Sequence, residues 1–316
     1  MTLVRGSALG QDVQVFIKKA RLSLLFLFLF FFSGVNCSSD TSLEFKGERA
    51  YQYLKDECRF GPRNPGSPGH QALRKYLLDF FSAYSNLIRS QDFVWEDTTG
   101  NLKFDLSNII VSFYPEKKER VLLCAHWDTR PWADRDSNPE NHQTPILGAN
   151  DGASGVAVLM ELAPILSKKK PKYGVDLVFF DGEDLGSEDH PERWCVGSNY
   201  FSQNLGSYRA SFGILLDMIG DKDLQIYKEG YSEQYAKQVN DLVWTKAGKL
   251  SISNFKPEVK TFIIDDHIAL IRAGIPCIDL IDFDYPYWHT LEDTPDKCSP
   301  ASLEKVGKVL LQVLYE

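Results

Sequence analysis

Five short apolar runs in this 316-residue chain each lead into acidic or imidazole side chains. Val121–Ala125 runs into His126-Trp127-Asp128, and Val175–Phe180 into Asp181-Gly182-Glu183-Asp184. Phe212–Leu216 leads to Asp217, and Val259–Ile264 to Asp265-Asp266-His267. Pro276–Ile281 is followed by Asp282 and, a little later, by Trp288-His289. Runs this short and this rich in Val, Ile, Leu and Phe have the pattern of strands buried on both faces. Helical patterns separate them, over Val156–Leu166, Tyr231–Gly248 and Asp266–Ala273, with a closing helix from Ser299-Pro300 to Tyr315. Pro300 suits a first helical turn, because its missing N–H would have no partner there. Strands alternating with helices predict an α/β sandwich around a mainly parallel, buried sheet.

Upstream, a short helix is expected around Glu48–Glu57. Leu73, Tyr76, Leu77, Phe80, Phe81 and Tyr84 recur at helical spacing, which predicts an amphipathic helix over Gln71–Ile88. Phe104–Tyr114 and Val121–Ala125 read as strands joined hairpin-fashion around Pro115-Glu116-Lys117-Lys118. No linker composition interrupts the chain after its first segment, so residues 38–316 are expected to form a single domain. That first segment, residues 1–37, reads as a secretory signal: Lys18, Lys19 and Arg21 precede the apolar run Leu22–Phe32, then small residues and Cys37. Cys37 resembles the lipid-acceptor cysteine of bacterial lipoproteins, so an exported protein is expected, periplasmic or membrane-anchored.

The formal net charge of -8 argues against nucleic-acid binding through a basic face. The six cysteines show no C-x-x-C pair. Cys124 and Cys277 sit in apolar runs as core residues, while a disulfide among Cys58, Cys195 and Cys298 stays open.

Polar residues at the carboxyl ends of parallel strands converge where open α/β sheets place their sites. Asp, Glu and His together suit zinc with one position left open. Neighbouring carboxylates perturb one another, which leaves one able to accept and return a proton near neutral pH. Leu147-Gly148-Ala149-Asn150-Asp151-Gly152-Ala153-Ser154-Gly155 belongs to the same picture. Its small residues let the backbone approach a ligand closely, and Asp151 sits at the turn.

With His126-x-Asp128, Gly148–Gly155, Asp181–Asp184, Leu216-Asp217 and Asp266-His267 in place, the chain resembles the zinc aminopeptidase clan. Within it, the chain is most similar to glutaminyl-peptide cyclotransferases, and nearest to the bacterial form of the animal-type enzyme. Trp194–Ser198 and Pro286–Asp293 carry that closer likeness. The resemblance implies a three-layer α/β/α sandwich around a mixed, mainly parallel sheet. It implies Asp151, Asp184 and His289 as zinc ligands and Glu183 as general acid/base. It further implies Asp265 and Asp217 in a hydrogen-bonded carboxylate network with Glu183, and Trp288 and Trp194 lining the substrate pocket. Many clan members carry glutamate where this chain has Asp184.

The implied reaction turns N-terminal glutamine into pyroglutamate with release of ammonia, on peptide or protein substrates, with one zinc ion and a monomeric enzyme. The runner-up on the same residues is a two-zinc aminopeptidase, with His126, Asp151 and Asp217 serving one metal, Asp151, Asp184 and His289 the other, and Glu183 activating water. Asp265 before Asp266-His267, and Trp288 before His289, favour the cyclase. Retention of Asp151, Glu183, Asp184 and His289 argues against a non-catalytic binding domain.

Overall fold

A computed structural model describes residues 44–97 and 102–316. The proposed signal and Cys37 lie outside the described residues. Two helices open the chain, α1 (Gly47–Cys58) and α2 (Pro68–Ser82), followed by three strands, β1 (Ile88–Asp97), β2 (Leu102–Phe113) and β3 (Arg120–His126). Then come α3 (Ala153–Lys168), β4 (Gly174–Phe180), α4 (Val196–Gln203) and β5 (Phe212–Asp217). β6 (Ile226–Lys228), α5 (Gly230–Tyr235), α6 (Lys237–Lys249) and β7 (Phe255–Val259) form the next group. The chain closes with α7 (Asp266–Arg272), β8 (Cys277–Ile281) and α8 (Pro300–Tyr315).

The main sheet has the order β1-β2-β4-β3-β5-β8. β4, β3, β5 and β8 pair in parallel, whereas β1 and β2 join the sheet antiparallel. Side chains on a strand alternate between faces, and here each face meets a separate apolar layer. Val121, Leu123 and Ala125 of β3 pack with α1, α2, α3 and α8 residues, while Leu122 and Cys124 pack on the other face with Phe201 and Leu270. β4 divides likewise, Leu177 and Phe179 against Val178 and Phe180. This is the expected α/β/α sandwich with a mixed, mostly parallel sheet. Parallel pairing brings the carboxyl ends of β3, β4, β5 and β8 to one edge, where His126, Asp181, Asp217 and Asp282 sit.

Several local expectations change. β2 and β3 do not form a hairpin, because β4 lies between them and bonds to both. A short apolar run cannot specify its neighbour, and β2 takes the outer edge of β4. The helix begun at Pro68 stops at Ser82, and Ile88 instead opens β1, an added antiparallel edge strand. The single helix expected over Tyr231–Gly248 is two, broken at Ala236 (φ -134°, ψ 31°). Val259–Ile264 is not a strand of the main sheet: the strand is Phe255–Val259, paired with β6 in a separate ribbon. Asp265 therefore reaches the site as the residue that caps α7, where its carboxylate accepts from Asp266 N. The five described cysteines are all buried and free, so Cys58, Cys195 and Cys298 form no disulfide among the described residues.

Candidate active site

Asp151 lies on the loop that enters α3, and that loop is held from three sides. Arg63, fully buried, donates from Nη1 to Leu147 O (2.6 Å) and from Nη2 to Gly148 O (2.7 Å). The Asp293 carboxylate accepts from Asn150 N (2.8 Å) and Asp151 N (3.1 Å), and Tyr285 donates to it at 2.7 Å. Gly152 has φ 95°, and a Cβ there would stand 2.7 Å from Asp128 O. Only glycine takes that backbone at low cost. A Cβ on Gly155 would stand 2.3 Å from Leu216 O, so glycine also lets α3 lie directly on β5. The small residues thus serve a close approach between protein elements beneath Asp151.

Glu183 and Asp184 follow β4 in a turn whose amides both point at Asp128. Glu183 N donates at 3.1 Å and Asp184 N at 3.3 Å. The aspartate of the His126-x-Asp128 motif therefore fixes the turn that presents the next two carboxylates. His289 adopts a left-handed backbone (φ 58°), with the Trp288 ring 4.0 Å from its own.

Asp151, Asp184 and His289 each offer a ligand atom within 4.8 Å of the others. His289 Nε2 stands 3.6 Å from Asp151 Oδ2 and 3.4 Å from Asp184 Oδ1, while Nδ1 faces Asp134 Oδ1 at 3.3 Å. A carboxylate behind an imidazole is the usual arrangement that orients a metal-binding histidine. The Oδ2 atoms of Asp151 and Asp184 are buried without a hydrogen-bond partner. Two such oxygens beside an imidazole nitrogen are costly unless a cation or proton joins them. The donor set fits zinc.

Two further groups adjoin this one. His126 Nε2 contacts Asp151 Oδ1 (3.1 Å) and Asp217 Oδ1 (3.3 Å). Glu183, Cys195 and Asp265 form the other, again within 4.8 Å. The Cys195 thiol donates to Glu183 Oε1 at 3.4 Å. The structure thus brings Glu183 and Asp265 together but turns Asp217 toward His126. Direct hydrogen bonds among Glu183, Asp265 and Asp217 do not occur among the described residues.

Burial and neighbouring charge together set the titration of these groups. Burial, reinforced by the Asp265 carboxylate, pushes Glu183 well above the usual carboxylate range. Burial and the nearby Asp184 charge push Asp151 up to about 7. Burial opposes charge on His126, but Asp128, Asp151 and Asp217 together raise it well above an ordinary histidine. Burial also acts against Asp184, yet His289 and Arg130 hold it below its ordinary value.

Arg130, on the loop between β3 and α3, carries no signal in its sequence context. Its Nη1 donates to Asp184 Oδ1 (3.0 Å), and Nε and Nη2 grip Asp134 at 2.7 Å each. One buried guanidinium therefore touches the Asp184 carboxylate and braces the partner of His289. Its plane also lies 4.8 Å from the Trp194 ring, which stacks near His289 at 6.2 Å. A cavity of about 600 Å³ opens over these groups, lined by Asp151, Glu183, Asp265, His289, Trp194 and Trp288. His267 stands outside it, with Nε2 3.1 Å from Glu229 Oε2, and braces the turn that carries Asp265.

The sequence model of peptidase family M28 matches residues 108–314. The chain belongs to peptidase family M28. Among curated relatives, a Bos taurus glutaminyl-peptide cyclotransferase-like protein is 27% identical over 286 residues, covering 80% of this chain and 72% of that protein. Among solved structures, a glutaminyl cyclase of Bacteroides thetaiotaomicron is 41% identical with a TM-score of 0.83, covering 86% of this chain and 98% of that one. A structure from the same organism described as a leucine aminopeptidase precursor is also 41% identical, with a TM-score of 0.84 and the same coverage. This M28 chain thus has relatives under both names, and its own site chemistry bears on the choice between them.

Proposed function

We propose that this M28 protein cyclises the N-terminal glutamine of peptides to pyroglutamate, releasing ammonia, with one zinc ion held by Asp151, Asp184 and His289. The observation that carries this reading is the Glu183–Asp265 carboxylate pair, placed beside that ligand set in a cavity walled by Trp194 and Trp288. The likeness to solved and curated glutaminyl cyclases supports it.

The α-amine of the substrate attacks its own side-chain amide carbon, so the reacting groups already share one molecule. Trp288 and Trp194 supply the flat apolar walls that hold the side chain folded back on the amine. Glu183 accepts a proton from the attacking nitrogen as the new C–N bond forms. It returns the proton to the departing amide nitrogen as the old C–N bond breaks and ammonia leaves. Asp265 raises the proton affinity of Glu183 through its charge, which suits a group that must carry a proton between two nitrogens. Zinc held there supplies Lewis acidity for the amide carbonyl and a positive charge against which Glu183 can ionise.

The second reading is a two-zinc aminopeptidase, favoured by one observation: His126, Asp151 and Asp217 also lie within 4.8 Å of one another. In the first reading His126 is instead hydrogen-bonded to Asp217 and in ionic contact with Asp151. Incubation with a Gln-initiated peptide separates the two. A product about 17 Da lighter, with ammonia released, supports cyclisation. Free glutamine with no lighter peptide, and two zinc ions per chain on metal analysis, overturns it.

We propose residues 38–316 as the catalytic domain and residues 1–37 as a lipoprotein-type export segment, cleaved before its last residue, the lipid acceptor Cys37. Mass spectrometry of the membrane fraction tests this assignment: a mature N-terminus at lipidated Cys37 supports it, and an unprocessed chain overturns it.

A further inference from the structure

Three of the seven exposed large apolar side chains among the described residues, Phe262, Ile264 and Phe283, line the mouth of the catalytic cavity. Their exposures are 63%, 56% and 39%, well above the buried groups below them. Isolated exposed apolar residues need no explanation, but a cluster at a ligand cavity marks contact with something apolar.

The cluster is fixed in place by the surrounding backbone. Gly230 N donates to Thr261 O at 2.6 Å, and Ile263 N donates to Glu229 Oε1 at 3.0 Å. These two bonds hold the extended segment 261–264 with Phe262 and Ile264 exposed on either side of half-buried Ile263. The Phe262 ring rests on Gly230, where a Cβ would come within 2.5 Å of it, and meets Tyr231 edge-on at 5.2 Å. Phe283 in turn packs against Trp288, with ring centroids 5.0 Å apart. The apolar surface is therefore continuous with the wall of the proposed glutamine pocket. The same cavity lining includes Arg135 and Glu188, whose charges stand 3.7 Å apart and offset each other, with the Arg135 guanidinium 5.1 Å from the Trp288 ring.

We infer that Phe262, Ile264 and Phe283 form a shelf that binds the apolar side chains of the residues directly following the cyclising glutamine. This rests on the cyclase reading above. The cavity encloses the reacting residue, so the rest of a peptide must leave across its mouth. An apolar side chain there covers exposed phenyl and sec-butyl surface, whereas a serine or glutamate at the same position covers it poorly. The shelf thus makes the enzyme selective for peptides that begin with glutamine followed by an apolar or aromatic residue.

The test compares Gln-Phe-amide, Gln-Ser-amide and Gln-Glu-amide on the full-length enzyme and on the Phe262→Ser/Ile264→Ser variant. For the unaltered enzyme, KM is expected to be about tenfold lower for Gln-Phe-amide than for the other two, with kcat within about twofold. In the variant that KM ratio is expected to fall toward one. A ratio near one in the unaltered enzyme, or a ratio kept in the variant, overturns the shelf while leaving cyclisation intact. If none of the three yields a product about 17 Da lighter, the cyclase reading itself falls and the shelf falls with it.

Discussion

Arg130 donates from Nη1 to Asp184 Oδ1 at 3.0 Å, in a place where neither side chain reaches solvent. The contact occupies one carboxylate oxygen and leaves Oδ2 free for a metal. Arginine is suited to this because its planar fork can hold Asp134 with two nitrogens and Asp184 with a third.

Arg130→Met should therefore weaken zinc binding. A lost partner behind a metal ligand typically costs about 10–100-fold in affinity. Competition with a chromogenic chelator measures it on the folded protein. Arg130→Lys should recover part of the affinity, since the charge returns without the fork. Equal affinity in all three proteins would remove Arg130 from this role.

Glu183→Gln keeps the size of the side chain and removes its proton exchange. Turnover of a Gln-initiated peptide should drop by about 10²–10⁴-fold, while bound zinc stays at the level of the unaltered enzyme. Metal loss in this variant would mean that Glu183 is a ligand.

Stripping the metal with a chelator should abolish turnover and lower Tm, with both restored by added zinc. The reason is local: Asp151 and Asp184 face each other across buried, unpartnered oxygens. Binding to the folded state alone stabilises it by mass action. An unchanged Tm on chelation would count against an ion at this position.

Glu229 supplies a test of stability against pH. Its carboxylate accepts from Tyr231 N, Ser232 N, Ser232 Oγ and Ile263 N, and from His267. Burial alone would raise it, but His267 and those amides hold it down at about 2. A carboxylate lowered on folding contributes stability above its unfolded value, which is lost as pH falls toward the folded one. The advantage of the unaltered protein over Glu229→Gln should be full above pH ~5 and shrink between pH ~4.5 and ~2. Urea midpoints measured across that range read the difference directly. A gap independent of pH would mean that the charge on Glu229 contributes nothing.

Much of the architecture was legible because period and length are local properties. The apolar runs that became β3, β4, β5 and β8 needed no partner to be read, and neither did the closing helix with its Ser299 cap and Pro300. The acidic and histidine residues beyond those runs were legible for a similar reason, since parallel strands deliver their ends to one edge. β1 was missed because Ile88 continues the helical spacing of the residues before it. Pairing differs where β4 slips between β2 and β3, and the strand expected to deliver Asp265 from its end is instead a loop, with Asp265 as the cap of α7.

By itself the sequence determined the fold class and the donor types: acids and histidines on a buried parallel sheet, with glycines beneath Asp151. The tertiary structure decided which of those groups meet. It set Asp217 against His126, gave Asp128 to the amides of Glu183 and Asp184, and carried Arg130 into the interior to hold Asp134 and Asp184 together. Those contacts join residues far apart in the chain, and their energies depend on distance and burial, neither of which is encoded in any single stretch of sequence.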